Sequence, residues 1–255
     1  MILVVDVGNT NIVSAVYKDD KFCFDFRFKT DPDKIVSGYA NEILKFFNKE
    51  NVCVEKIDGA IISSVVPKVN KALTDVISQV CKCKVKLLDS GLKTGLKICT
   101  DYPEKVGADL ICGAAMAYDK YRSSVIVFDF GTATTVCAVD NLGNYLGHSI
   151  CPGVWTSFRA LSEFTAKLPK IEKISDGVET IGKNTISSIE SGVIIGTACI
   201  VDGMTKRYRK ELGENTKVVA TGGLSEIILP YCETEIKLWK NLLLDGLNFL
   251  YKLNL

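Results

Sequence analysis

The chain has 255 residues, 47% of them hydrophobic, and a formal net charge of +1, which is enough apolar material for one large domain or two small ones. The near-neutral balance, with no run of five or six like charges, argues against nucleic acid or an anionic membrane surface as a partner. The apolar start Met1–Val5 meets Asp6 at once, too short for a signal peptide, and the longest apolar run, Val193–Val201, falls well short of a membrane span. Ten cysteines lie mostly inside apolar runs, among them Cys23, Cys112, Cys137 and Cys199, a pattern of buried, reduced thiols in a cytoplasmic protein rather than of disulfides. Cys81 and Cys83 form the one close pair, weak evidence for zinc without a second pair. The single histidine, His148, excludes multi-histidine metal sites and leaves one candidate for a Ser-His-Asp arrangement.

The elements follow in chain order. Ile2–Tyr17, ILVVDVGNTNIVSAVY, reads as a near-continuous apolar strand ending in Asp6, a glycine-containing turn, and a second apolar strand closing a hairpin. Apolar side chains on both faces imply a sheet covered by helices. Helical periodicity covers Ile35–Phe47, and Ala60–Val65 is a strand ending in small polar residues. Pro103–Tyr121 predicts a helix, with Asp101 before it and Pro103 in its first turn. Val125–Asp140, VIVFDFGTATTVCAVD, then repeats the opening hairpin without a gap: Val4, Asp6, Gly8, Val13, Ala15 and Val16 face Val127, Asp129, Gly131, Val136, Ala138 and Val139. Phe158, Leu161, Thr165 and Leu168 fall at helical spacing. Asn184 caps a long helix through Ile186, Ile189, Val193, Ile200 and Met204, whose exposed cationic end is Lys206–Lys210. Val218–Gly223 matches the Ala60–Val65 strand and leads into a helical segment, Leu224–Leu229. The order hairpin, helix, strand, helix thus occurs twice. It predicts an α/β fold of two duplicated halves, residues 1–115 and 116–255, with a nucleotide cleft between them.

The two strand tips carry the chemistry. Asp6-Val7-Gly8-Asn9-Thr10 and Asp129–Thr135 offer hydroxyls, an amide, backbone N–H groups and two carboxylates. Glycine lets the backbone approach a ligand, and neighbouring amides can point at phosphate oxygens. Carboxylates beside a polyphosphate require cations between them, which argues for Mg²⁺ held largely through water and phosphate oxygens. One such loop is equally readable as a polar turn; two related loops half a chain apart are not. Neither is a Walker sequence. Thr221-Gly222-Gly223 is a third loop, suited to the ribose or adenine side. Asp109, among apolar neighbours near a helix start, is the candidate base for a substrate hydroxyl attacking a γ-phosphate, and is also readable as a helix-end carboxylate favoured by the dipole.

At these residues the chain resembles the type III pantothenate kinases, within the actin-like ATPase superfamily of duplicated actin/ribonuclease H-like halves. The likeness runs through DVGNTN (Asp6–Asn11), SSVVP (Ser63–Pro67), PEKVGAD (Pro103–Asp109), DFGTATT (Asp129–Thr135), Pro152-Gly153, Ala160-Leu161 to Leu168-Pro169, KNT (Lys183–Thr185), TGG (Thr221–Gly223) and LLLDGL near the C-terminus. The resemblance implies ATP-dependent phosphorylation of pantothenate, the first step of coenzyme A synthesis, in a cytoplasmic homodimer. It assigns ATP to Asp6, Val7, Gly8, Asn9, Thr10, Asn11, Gly131, Thr132, Thr221, Gly222 and Gly223. It makes Asp109 the proton acceptor and gives the substrate to Gly107, Ala108, Asp109, Leu110 and, across the dimer interface, Thr185. Asp6 would hold Mg²⁺ through water, and Asp129 a monovalent cation, K⁺ or NH₄⁺.

The departures cluster on the acceptor side. The family has Arg after the catalytic Asp, suited to pairing with pantothenate's carboxylate; here the residue is Leu110. A family Tyr is replaced by Thr100, with Tyr102 nearby, and a paired Gly by Gly147-His148. Three readings follow: a pantothenate kinase with an unusual acceptor pocket, a nucleotide-binding regulatory paralogue without turnover, or a kinase for another small hydroxyl compound.

Overall fold

A strand that is apolar on both faces has to be covered on both, and β1 (Ile2–Val7) organises the first part of the molecule in this way. The computed structural model describes residues 1–33, 36–89 and 91–255. After β1 come β2 (Asn11–Lys18), β3 (Lys21–Lys29), α1 (Val36–Lys49), β4 (Gly59–Ser64), α2 (Pro67–Cys81), β5 (Lys84–Leu87), the two-residue β6 (Lys97–Ile98) and α3 (Ala108–Tyr121). Ile35, the expected first residue of α1, lies outside the described residues. Sheet order is β3-β2-β1-β4-β5, with β1, β2 and β3 antiparallel in sequence and β4 and β5 parallel to β1. Leu3, Val5 and Val7 face one core with Ala60 and Ile62, under Tyr39, Ile43 and Phe47 of α1 and Val69, Leu73 and Ile77 of α2. Val4 and Ile61 face the opposite core with Cys112 and Ala115 of α3.

The second hairpin repeats the plan. β7 (Val125–Phe130), β8 (Ala133–Val139), β9 (Asn144–Pro152), α4 (Val154–Glu163), α5 (Thr185–Glu190), a π-helical turn Ser191–Ile195, α6 (Gly196–Leu212), β10 (Lys217–Thr221), α7 (Ser225–Ile228) and β11 (Lys237–Leu238) follow. The order β9-β8-β7-β10-β11 matches β3-β2-β1-β4-β5 strand for strand. Ile126, Phe128 and Phe130 pack against Val154 and Phe158 of α4 and against Val193, Ile194, Ala198 and Val201 of the long helix.

The chain closes with α8 (Leu242–Leu253). Two compact units result, Met1–Met116 with Asn241–Leu255, and Ala117–Lys240. The sequence division gave 116–255 to the second half; the segment from Asn241 onward packs in the first unit instead. Its apolar face, Leu244, Leu247, Leu250 and Tyr251, joins the Val4–Ile61 core. Two glycines admit it. A Cβ on Gly246 would lie 2.4 Å from the carbonyl oxygen of Cys112, and one on Gly59 would lie 1.8 Å from the Tyr251 hydroxyl. Each fully buried Leu in such a face contributes about 1.5–3 kcal/mol, which outweighs chain order in deciding where the segment docks.

Other expectations shift locally. Pro103 opens a 3-10 turn, Pro103–Lys105, and Val106 is extended, so the helix starts only at Ala108. α4 stops at Glu163; Thr165, expected to be helical, instead turns its hydroxyl onto the carbonyl of Leu161 at 2.7 Å. Asn184 caps as expected, accepting from Ser187 N at 3.0 Å while Ser187 Oγ accepts from Asn184 N at 3.1 Å. The unbroken helical run Thr185–Leu212, 28 residues, contains an 18-residue window with a mean hydropathy of 1.3 and by length and composition could cross a membrane, unlike the short apolar run seen in the sequence. Its residues Ile189, Val193, Ile194, Ala198 and Val201 are buried in the second core, so its apolar stripe already has a partner. Cys112 and Cys137 are buried as expected, whereas Cys23 and Cys199 are exposed. Cys23 stands on the solvent side of β3, where burial alternates with period two.

Burial, reinforced by the negative charges of neighbouring groups, pushes the thiols of Cys81 and Cys232 from 9.0 up to about 12. A folded-state pKa above the unfolded value means that the stability held by the neutral thiol is complete below the unfolded pKa and is lost as pH rises through the folded one. Tm should therefore fall from about pH 9 toward pH 12 in a pH series of thermal melts. A flat profile over that window would show that these thiols are not buried as described.

Candidate active site

The first unit gathers three predicted or neighbouring polar groups at one end of its sheet. Asp6, next to last in β1, is in parallel register with Ser63 of β4, just as Val4 pairs with Ile61. Side chains two apart share a face, so Asp6 and Ser63 continue the Val4–Ile61 face that α3 covers through Cys112 and Ala115. Asp109 lies in the first turn of α3, one turn before Cys112. The Cys112 thiol, 0% exposed, reports the result. Its pKa is held well above the thiol range, first by burial and then by the charges of Asp6 and Asp109, while the Ser63 hydroxyl opposes the shift. Asp6, Ser63 and Asp109 therefore all lie close enough to one thiol to act on it. Ser63 Oγ is buried, and no well-formed hydrogen bond holds it; the thiol is its neighbour.

The backbone around these groups is tightly fixed. Gly8 N donates to Asn11 O at 3.0 Å, Thr30 Oγ1 donates to Gly8 O at 2.6 Å, and Thr30 N donates to Thr10 O at 3.1 Å. Asn9 and Thr10 are left exposed on the turn. Val7 is fully buried, so only its backbone is available to a ligand, and Asn11 begins β2. At the other edge, a Cβ on Gly107 would lie 2.4 Å from Asp109 Oδ1, so glycine is what allows this carboxylate its position. Asp109 Oδ1 also accepts from Leu110 N at 2.9 Å. Ala108 and Leu110 are half-buried beside it.

The second unit repeats the pairing. Asp129 at the tip of β7 is in parallel register with Thr221 of β10, the counterpart of Asp6 with Ser63. Gly222, at φ +95°, brings its backbone so close that a Cβ would lie 2.5 Å from Asp129 Oδ1 and 2.5 Å from Phe130 N. Gly223 is exposed beyond it. Thr221 is fixed by donating to Lys240 O at 3.2 Å and by accepting at its own carbonyl from Ser225 Oγ at 2.6 Å. The Gly131-Thr132 turn is braced from α4: a Cβ on Gly153 would lie 2.3 Å from Thr132 O and 2.5 Å from Gly131 O, and Thr156 Oγ1 donates to Thr132 O at 2.7 Å. Thr185 is exposed at the first position of α5, apart in sequence and in element from this group. His148 Nδ1 lies 3.1 Å from the Tyr145 hydroxyl.

Sequence reasoning gave no role to Ser63, Cys112, Gly153 or Thr156. Ser63 and Gly153 sat in quoted motifs, and Cys112 is three residues after Asp109, so helical spacing was the available signal. Among the described residues no group of three or more His, Cys, Asp and Glu could hold a metal ion. One carboxylate per tip therefore fits a cation only where phosphate oxygens and water complete its shell, which is the usual manner of Mg²⁺ beside nucleotides.

Two sheets that share a five-strand order, each with an acidic tip beside a hydroxyl, define an actin-like fold of the kind found in sugar kinases. Solved structures agree. The chain is similar to one described as a Baf family transcriptional activator from Campylobacter jejuni (TM-score 0.60, 20% identity, covering 98% of this chain and 97% of that one). It is also similar to the ethanolamine utilization protein EutJ from Carboxydothermus hydrogenoformans (0.54, 18%, 97% and 89%) and to a protein described as a sugar kinase from Cytophaga hutchinsonii (0.51, 15%, 99% and 99%). The sequence profile of the type III pantothenate kinases matches residues 2–207, and the chain belongs to that family.

Gly222→Ala tests the bracing of the Asp129 tip. The positive φ and the approach to Phe130 backbone together should cost about 2–3 kcal/mol, read as a lower midpoint in urea unfolding. An unchanged midpoint would mean that the loop can relax and that the close packing has no structural consequence.

Proposed function

We propose that the protein transfers the γ-phosphoryl group of ATP to the primary hydroxyl of pantothenate. Kinase chemistry and ATP use come with the family; the acceptor and the residue roles are this reading. The observation that carries it is the convergence of Asp6 and Asp109 on Cys112. A carboxylate suited to a cation-bridged phosphate and a carboxylate suited to a hydroxyl proton both act on one buried side chain.

In the proposed reaction the acceptor oxygen attacks the γ-phosphorus as its O–H bond breaks. The proton passes to Asp109, and the electron pair of the broken bridging P–O bond leaves on ADP. Gly107 leaves room for the Asp109 carboxylate, and the Leu110 amide orients its Oδ1. Backbone and side chains of 6–11, together with Gly131, Thr132 and Thr221–Gly223, hold the nucleotide. Asp6 fits Mg²⁺ through water, and Asp129 fits K⁺ or NH₄⁺; when bound, these ions neutralise charge on the phosphates. Gly107, Ala108, Leu110 and Thr185 bind the acceptor, with Thr185 reaching it in a homodimer. A cytoplasmic location accords with ten free cysteines.

Purified protein given ATP, Mg²⁺ and K⁺ should release ADP only when pantothenate is added. Asp109→Asn should lower kcat by about 10²–10⁴ and leave ATP affinity within about twofold, as judged by calorimetry. Nucleotide binding without turnover on any acceptor would make the protein a regulatory paralogue, and turnover on a different hydroxyl compound alone would replace pantothenate as substrate. Unchanged kcat in Asp109→Asn would remove that residue from its role.

A further inference from the structure

If the acceptor is a carboxylate-bearing alcohol, its hydroxyl lies at Asp109 and its charged end needs a cation. Leu110, the residue next to Asp109, has none to offer. Between Lys97 and Lys120 the sequence holds one basic residue, Lys105. It closes the 3-10 turn Pro103–Lys105 that leads through Val106 and Gly107 into α3. Its Nζ lies 4.2 Å from the centroid of the Tyr102 ring, and that ring is 60% exposed.

An exposed tyrosine whose face holds a lysine is a specific arrangement. The ring attracts the ammonium through its quadrupole and restricts an otherwise mobile four-carbon stem. The side of the ammonium away from the ring stays open to an anion. Thr100, two residues before Tyr102, has a buried Oγ1 with no hydrogen-bond partner, so the same segment holds a second neutral donor.

The spacing suits the acceptor. Lys105 and Asp109 are four positions apart, and a chain of that length spans at most about 13 Å. Pantothenate carries its primary hydroxyl and its carboxylate at opposite ends, roughly 10 Å apart when extended, from bonds of about 1.5 Å. A molecule with its hydroxyl at Asp109 can therefore place its carboxylate within the sweep of the Lys105 side chain.

We propose that Lys105, steadied on the face of Tyr102, is the specificity-determining residue that binds the acceptor's carboxylate in the place that Leu110 leaves without a charge. The proposal rests on the pantothenate reading above and goes beyond it in naming the group that selects an anionic acceptor.

The test compares two acceptors in one assay: pantothenate, and pantothenyl alcohol, which carries a hydroxymethyl group where pantothenate carries its carboxylate. Lys105→Ala should raise the KM for pantothenate about tenfold, the lower end of what a charged hydrogen bond supplies, since the site is exposed and screened. It should leave kcat and the KM for ATP within about twofold and should not change the KM for the alcohol. Tyr102→Leu should raise the pantothenate KM by a smaller factor, and Tyr102→Phe, which keeps the ring, should behave as wild type. Leu110→Arg introduced into Lys105→Ala should recover most of the loss by returning a cation beside Asp109. An unchanged pantothenate KM in Lys105→Ala, or an equal rise for acid and alcohol, would overturn the proposal while leaving the kinase reading intact. A wild-type protein that turns over neither acceptor, or some other acceptor only, would overturn both.

Discussion

The whole arrangement depends on placing a carboxylate at the end of a strand that is otherwise apolar on both faces. Such a strand is held from above and below, so its last side chains cannot drift. In β1 and in β7 that constraint is applied to Asp6 and Asp129, each fixed by an antiparallel neighbour on one side and a parallel neighbour on the other. The parallel neighbour ends in a hydroxyl residue in both cases, Ser63 and Thr221. The acid-beside-hydroxyl pair is thus the repeated functional unit, and the duplication is deeper than the aligned hairpins suggest.

The two copies then diverge in what surrounds the pair. In the first unit Ser63 lies against a thiol, and the Asp109 carboxylate joins from the first turn of α3. In the second, Thr221 is tied down by Lys240 and Ser225, and glycines from two directions press on the loop: Gly222 on Asp129, and Gly153 on Gly131 and Thr132. In the first copy a carboxylate from a helix start, held by the Leu110 amide, joins the strand-tip pair. The other has its groups fixed by backbone contacts, as suits a rigid phosphate-binding turn.

Much of this was legible in the sequence because it was written in local patterns. The hairpin repeat, the Asn184 cap and the polar tips all depend on residues within a few positions of one another, and the structure contains them. The failures share a physical cause. Leu242–Leu253 follows the second sheet in the chain, yet this helix, α8, docks on the first because Gly59 and Gly246 provide the room, and nothing local to α8 reveals that. The helix expected from Pro103 is delayed to Ala108, since Pro103–Lys105 form a 3-10 turn and Val106 is extended. Cys112 sits in a run indistinguishable from any buried helix; its significance lies in Asp6 and Ser63, which are far away in sequence.

That delay has a chemical consequence. A helix beginning at Pro103 would have carried Tyr102 and Lys105 along its surface with the regular hundred-degree step. A separate 3-10 turn followed by extended Val106 instead presents Tyr102, Glu104 and Lys105 as an exposed group ahead of the helix, while Asp109 keeps the helix N-terminus. Asp109 and Lys105 are thereby held by two different pieces of backbone joined at a glycine. Under the proposed reading, substitutions in the turn can alter which acceptor is held without moving the Asp109 carboxylate. Leu110, on the helix itself, is half-buried next to Asp109, so a charge placed there acts directly on that carboxylate. A cation on the turn is therefore the arrangement that leaves Asp109 least disturbed when the residue following it carries no charge.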